Sequence, residues 1–349
     1  YQQLPNFVGF TFVPQPNLTA GAAFLSTNAW EQETDAELIT TVPAGLHRLG
    51  YSADAEYQVR VAAVSAGYHR GGPWRFGGGL ALSIMSLGMA QSVSDRIIDA
   101  ATVRTLLVEA HASGSAYQIR AQGGVQYDLG ERWRFGGAVR TPGAMVYKSG
   151  SVVLDGVSGD GQGSPGASLF ADDAELEYRL PWEFQGGGAW LTPRLELELN
   201  VQAYTPIDPY QLLSTDEPTV LYGDAAGQPP TITTRDANGM VSASKGVVNV
   251  SAGGHFRVLA NRDFRVHAGL GANQSPVAPD DTVFTKVDLS TWSFGLSGTF
   301  GRLQFAAGIN RHSGTADNVL LRNRVNGEQV RTPVDIRMVG FIYSLAYQF

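Results

Sequence analysis

Tyr117-Gln-Ile-Arg-Ala-Gln-Gly-Gly-Val-Gln-Tyr-Asp-Leu129 is the stretch on which the fold turns. Tyr117, Ile119, Ala121, Gly123, Val125, Tyr127 and Leu129 fall on one side of an extended chain, and Gln118, Arg120, Gln122, Gly124, Gln126 and Asp128 on the other. Successive side chains of a strand point to opposite faces, so one side of this segment suits lipid and the other water. The split recurs with Leu195, Leu197, Leu199 and Val201 against Glu196, Glu198, Asn200 and Gln202. It recurs again with Trp292, Phe294, Leu296, Gly298 and Phe300 against Ser293, Gly295, Ser297 and Thr299. One alternating strand also fits a soluble sandwich; a whole chain of them fits a barrel better.

Thirteen strands are expected, at about 6–13, 18–30, 54–69, 74–88, 107–128, 133–153, 172–191, 195–205, 246–259, 263–274, 288–300, 303–312 and 336–349. Tight turns of Gly, Pro or Asn chemistry separate alternate pairs: Pro14–Asn17, Gly71–Pro73, Gly130–Arg132, Thr192–Arg194, Asn261-Arg262 and Gly301-Arg302. Long loops are expected between the others, at about 31–53, 89–106, 154–171, 206–245, 275–287 and 313–335. Short turns at one rim and long loops at the other are the habit of an outer-membrane barrel. The last strand presents Phe341, Tyr343, Leu345, Tyr347 and Phe349 to one face and ends on an aromatic, as such barrels do. The fold class expected is an all-β, antiparallel transmembrane β-barrel forming a single domain over 1–349. Bacterial barrels have an even number of strands with both termini periplasmic, so one further strand is expected upstream of Tyr1, in a chain that starts without Met or signal peptide.

Composition agrees and excludes other classes. No apolar run approaches the ~20 residues of a membrane-spanning helix. With no Cys there is neither a disulfide framework nor a thiolate metal site. A net charge of −7 without a basic run argues against nucleic acid. The six histidines, at 47, 69, 111, 255, 267 and 312, are scattered, and there is no His-x-x-x-His pair or Gly-x-Ser-x-Gly elbow, so no enzyme is expected. Asp172-Asp173 and Asp280-Asp281 read as solvated loop charges rather than Ca²⁺ ligands, and no cofactor is expected.

Three segments, in order, carry a family resemblance. Asp173 to Thr205, with its Leu180-Pro181 step, glycine strand at Gly186–Gly188, Pro193 turn and alternating strand, resembles the FadL-type outer-membrane long-chain fatty acid transporters. Trp133-Arg-Phe-Gly-Gly-Ala-Val-Arg140-Thr-Pro142 and Arg265-Val-His267-Ala-Gly-Leu-Gly-Ala-Asn-Gln-Ser-Pro276 resemble two other strands of that family. The resemblance implies a 14-stranded barrel in the bacterial outer membrane that takes up fatty acids or other hydrophobic compounds. The family's N-terminal hatch has no counterpart here, since Tyr1 falls where its second strand begins.

Such a route needs a greasy landing surface, an internal pocket and a sideways exit. Residues 94–109 are expected to form an amphipathic helix capped by Ser94, with Ile97, Ile98, Ala101, Leu106 and Leu107 as an external landing face. Inside, Arg60, Arg120, Arg140, Arg257, Arg265 and His267 are expected to face the lumen by strand parity, where guanidinium groups can bind a carboxylate or pair with Glu175, Glu177, Glu196 and Glu198. Pro181 is expected to kink or bulge its strand. The expected surroundings are outer-membrane lipid and lipopolysaccharide, and the expected cargo a hydrophobic small molecule. Two other roles fit the same barrel: an anchor whose loops, such as 206–245 with Pro229-Pro230 and Asn238-Gly239, bind an envelope protein, and a general diffusion porin.

Overall fold

A computed structural model describes residues 7–42, 45–98, 103–159, 166–222, 231–233, 240–258, 263–278, 286–322 and 329–347. Its segments are β1 (Phe7–Gln15), β2 (Leu18–Val42), β3 (Gly45–His69), β4 (Trp74–Ile98), β5 (Val103–Leu129), β6 (Trp133–Arg140), β7 (Ala144–Gly159), β8 (Gly166–Leu176), β9 (Glu183–Leu191) and β10 (Leu195–Tyr204). They continue as β11 (Ile207–Gln211), β12 (Leu213–Ser214), β13 (Thr219–Tyr222), β14 (Thr231–Thr233), β15 (Val241–Ser244), β16 (Val247–Arg257), β17 (Phe264–Asn273), β18 (Leu289–Phe300), β19 (Leu303–Arg322) and β20 (Gln329–Tyr347).

The main sheet runs in chain order and is antiparallel throughout. β6 and β7 lie end to end along β5, β9 and β8 lie end to end along those two, and β12 and β13 continue the line of β10 along β8. Among the described residues the wall therefore has thirteen successive positions, the expected number. Among the described residues β1 pairs only with β2 and β20 only with β19, so the sheet ends on these two edges.

Parity fixes the faces. Trp74 packs at a tilt against Tyr127 with ring centroids 4.5 Å apart and Tyr117 against Tyr147 at 5.0 Å, and Trp133, Trp182 and Trp292 are exposed on the convex side. Ten residues of β5 separate Tyr127 from Tyr117, which at ~3.3 Å per residue and a tilt near 40° is about 25 Å, the height of a lipid-facing band between two aromatic girdles. Gly71, Gly130 and Gly301, with φ of 74°, 65° and 61°, sit in the tight turns at the Trp74 end, where a left-handed backbone is needed to reverse the chain.

The opposite rim departs from expectation. Most of 31–53, 89–106 and 313–335 is not loop but strand, because β2–β3, β4–β5 and β19–β20 keep pairing beyond the girdle. The helix expected over 94–109 is likewise strand over Ser94–Ile98 and Val103–Glu109, in register with its partner. Val93, Ile97, Ile98, Val103, Thr105 and Val108 are β-branched, and their strand preference with a paired neighbour prevails over a helical spacing that arises by coincidence. Ala101, Pro229-Pro230, Asn238-Gly239, Asn261-Arg262, Asp280-Asp281 and Phe349 lie outside the described residues.

Between β17 and β18, Asp288 Oδ1 accepts the backbone N–H of Ser275 at 2.8 Å, tying the two ends of that connection together. This bond, with the charge of Lys286, holds the Asp288 carboxyl below the ordinary range despite some desolvation. A depressed carboxylate stabilises above its unfolded pKa of ~3.9 and loses that contribution as pH falls through the folded value. We expect hydrogen exchange at the Ser275 amide to accelerate as pH drops below about 4 relative to intrinsic rates, and Asp288→Asn to show the faster exchange at neutral pH. Exchange at Ser275 unchanged by Asp288→Asn would refute the tie.

Candidate functional site

The site begins with a break in the wall. The β6–β9 ladder stops at Arg140↔Glu183 and the β7–β8 ladder starts at Gly150↔Ala174, so Thr141–Ser149 and Glu175–Trp182 face one another without ladder pairing. Pro142 and Pro181 lie in the two lips; proline has no N–H to give and resists an interior ladder position. The expected distortion at Pro181 is thus half of a paired interruption. On its far side the second lip stays attached: Glu177 N–H donates to Leu212 O at 2.8 Å, Thr205 N–H to Trp182 O at 3.1 Å, and Arg179 N–H to the Tyr210 hydroxyl at 3.3 Å. Lys148 of the first lip pairs with Glu175 of the second, and Arg179 pairs with Glu177 within the second lip.

Arg120 spans the break from within. Its Nε donates to Thr141 O at 2.8 Å and its Nη2 to Pro181 O at 3.0 Å, one bond to each lip. The neighbouring inward position holds a polar layer centred on Glu183, which is 3% exposed. Glu183 Oε1 accepts from Arg140 at 2.8 Å, Gln185 at 2.6 Å and Gln202 at 2.5 Å, and Arg140 also donates to Gln122 at 3.2 Å. Arg120 Nη1 is 3.9 Å from Glu183.

On the short-turn side of this layer lies a cavity of about 1290 Å³ touched by β3–β6, β9, β10 and β16–β18, which shows how far the sheet curls. Its lining is mixed: Gln126, Asn200, Asn249, His255 and Ser293 stand among glycines, alanines and valines. At Gly187 a Cβ would lie 2.2 Å from Asn200 Oδ1, so the glycine strand keeps this space open. On the other side of the layer the concave face turns apolar. Val59, Met85, Leu87, Ala116, Leu176, Leu212 and Leu213 are buried there, with Tyr57, Met89, Met145, Tyr178 and Met240 packed on them. Four of the five methionines in the chain meet in this cluster, and methionine is the side chain that repacks most readily around a guest.

The expected residues fall in several places, with Arg140 and His267 both lining the cavity. Arg120 and Arg140 meet at Glu183. His267 faces the cavity, with Nε2 at 2.7 Å from Ser297 Oγ and its ring 5.4 Å from that of His255. Arg265 donates to Asp263 at 2.8 Å near the short turns. Ile97, Ile98, Leu106 and Leu107 belong to the β4–β5 tip, and the fourteen residues from Leu106 to Arg120 span about 45 Å of strand. Arg60 faces outward: it is paired with Ser26 and Ile84 on the convex side. Parity misleads at that position because Tyr57, Val59 and Val61 are apolar and point inward, the reverse of a water-lined barrel.

Glu183, Gln118, Leu212–Leu213 and the methionines were not singled out from the sequence. The convergence of methionines is visible only after folding, but Glu183 shares strand parity with Gln185 two residues on. No group of three metal-binding side chains occurs among the described residues.

No family model matches the sequence, and no curated protein is similar to it by sequence. Solved structures are similar in fold. The toluene transporter TodX of Pseudomonas putida superposes with a TM-score of 0.58 at 12% identity, covering 98% of this chain and 82% of that one. The monoaromatic hydrocarbon channel CymD gives 0.54 at 10%, with the same coverage. A Pseudomonas aeruginosa FadL homologue gives 0.51 at 11%, over 95% of this chain and 78% of that one. The chain therefore has the fold of the FadL-type hydrophobic-compound transporters.

Proposed function

We propose that the protein carries small hydrophobic molecules across the outer membrane, holding them in the apolar cluster and releasing them sideways through the break between β7 and β8. The observation that carries this reading is the order of layers. A greasy molecule in the cluster meets the charged Arg120–Arg140–Glu183 layer and then an open cavity lined in part by amides, histidines and arginines if it continues along the lumen. Apolar groups gain roughly 25 cal/mol per Å² when buried and lose it again in a wet channel. The lips at 141–149 and 175–182, which share no ladder and are bridged by the Lys148–Glu175 ion pair and by Arg120, lie instead beside the cluster. The names of the structural neighbours, toluene and monoaromatic hydrocarbon channels, point the same way.

Long-chain fatty acids are a poorer fit than neutral cargo. The donors of Arg120 and Arg140 already serve two carbonyls, Gln122 and Glu183, and Glu183 would repel a carboxylate arriving there. The surrounding partners on this reading are outer-membrane lipid and lipopolysaccharide, and no catalytic step is involved.

The test is accumulation of radiolabelled p-xylene at low concentration by Gram-negative cells that lack their own hydrophobic channel, with and without this protein. We expect at least a several-fold faster initial rate with it. No acceleration, together with a sustained large ion current in a planar bilayer, would make the protein a diffusion porin; no acceleration with a stably co-purifying envelope protein would make it an anchor.

A further inference from the structure

Gln118 is 1% exposed and its Oε1 has no hydrogen-bond partner. Nearly every buried carbonyl oxygen finds a donor, and one that does not is either a cost tolerated elsewhere in the fold or an acceptor awaiting a ligand. Three features of its position favour the second. On the concave face it lies in a row with Ser83 and Met145, one step from Ala116 and Met85 of the apolar cluster and one step from Arg120. It therefore marks the boundary between the greasy and the polar layers. A Cβ on Gly143 would come within 1.7 Å of this oxygen, so the bare glycine in the first lip is what gives it room beside the break. The adjoining cations, unlike Gln118, are already bonded: Arg120 to Thr141 and Pro181, Arg140 to Gln122 and Glu183.

We propose that Gln118 is the acceptor of a cargo subsite at the base of the apolar cluster, and that the cargo it selects is a neutral aromatic bearing one hydroxyl, a phenol. The ring would be gripped by Met85, Met145 and the tyrosines, since thioethers and aromatic edges favour aromatic partners. The hydroxyl would donate to Oε1. A bare hydrocarbon leaves the oxygen unpaired, and a carboxylate presents it with a second acceptor beside Glu183. A site built to pair a hydroxyl discriminates against the analogue without one. This inference rests on the proposed transport of hydrophobic molecules and narrows its cargo.

Equilibrium dialysis of the full chain in detergent against radiolabelled p-cresol, p-xylene and p-toluate tests it, because the three share a ring and differ in one group. We expect p-cresol to bind about tenfold more tightly than p-xylene, with p-toluate weakest. Gln118→Leu should raise the p-cresol Kd about tenfold and leave p-xylene within twofold, erasing the preference. Gln118→Asn keeps the carbonyl and should retain part of it. Heat-modifiable migration on gels reports folding, and the wild-type comparison needs no variant. Equal binding of p-cresol and p-xylene to the wild type, or a preference that survives Gln118→Leu, would overturn the subsite. If p-xylene still accumulates in cells, only the subsite falls; if none of the three binds and p-xylene does not accumulate, the transport reading has failed with it.

Discussion

Leu213→Asp is expected to free the 207–214 segment from the concave face while the rest of the wall stays folded. Leu213 is 1% exposed and sits over Gly150, where a Cβ would come within 2.8 Å of its Cδ1, and it pairs in register with the fully buried Leu176. Arg179, which lies over the Tyr210 ring of the cluster, is already paired with Glu177, and an unpaired buried carboxylate costs several kcal/mol unless it protonates or moves to water. Moving is the cheaper course. The segment is held by few ladder bonds, β12 to β8 and β11 to β15, against ten or more registered pairs in each of β16–β18. Local opening is drawn from such weakly tied elements while the remainder keeps its global stability. The expected result is rapid hydrogen exchange at the amides of Leu212 and Glu177, which now bond to Met240 O and Leu212 O, with heat-modifiable migration unchanged. Uptake of p-xylene should fall at least tenfold, because the cluster loses its inner wall; Leu213→Ala, which only makes a cavity at about 2–5 kcal/mol, should lose less. Normal protection at Leu212 and Glu177 in the aspartate variant would mean that the segment is not the movable side of the cluster.

How much of this was legible in the sequence depends on which half of the wall is considered. Below the girdle at Tyr117 and Tyr147 the alternation of 117–129 translates directly into structure: Gln122, Gln126 and Asp128 face in, and Ile119, Val125 and Leu129 face out. The tight turns and the number of wall positions follow from the same period-2 pattern and from Gly and Pro chemistry. Above that level the rule that apolar means outside fails, because the inner face is itself apolar. Val59 and Met85 point in, Arg60 and Ile84 point out, and the pattern has no phase that a water-lined barrel would recognise. The helical spacing over 94–109 misleads for a related reason. Two strands carrying apolar residues on both faces match a 3.6-residue spacing by chance, and only the partner strand resolves it. Of the candidate site, Arg120 and Arg140 were legible as inward cations, but the carboxylate that unites them, Glu183, comes from a strand 43 residues beyond Arg140 and could be chosen only once β6 and β9 were seen to pair.

That carboxylate should be the most sensitive single position of the polar layer. Replacing Glu183 by Ala removes the acceptor of three hydrogen bonds and leaves two guanidinium groups facing each other across the layer. Breaking a buried ion pair from one side costs about 3–5 kcal/mol, since the partner charge stays behind. The two arginines do not share that cost equally. Arg140 is 42% exposed in its side chain and regains water from the cavity, whereas Arg120, at 15%, is held between the lips by Thr141 and Pro181 and cannot turn away without releasing them. The loss should therefore appear first at the break, as faster exchange of the Trp182 and Glu183 amides, and then as a lower unfolding midpoint in urea. Glu183→Gln keeps an acceptor without the charge and should recover part of the stability. Adding Arg140→Gln to Glu183→Gln should recover more, because one uncompensated charge has gone, giving a favourable coupling of about 1 kcal/mol or more between two residues in one network. If the two substitutions instead add independently, the layer is a set of separate solvent-screened contacts, and the barrier assigned to it in directing cargo sideways loses its physical basis.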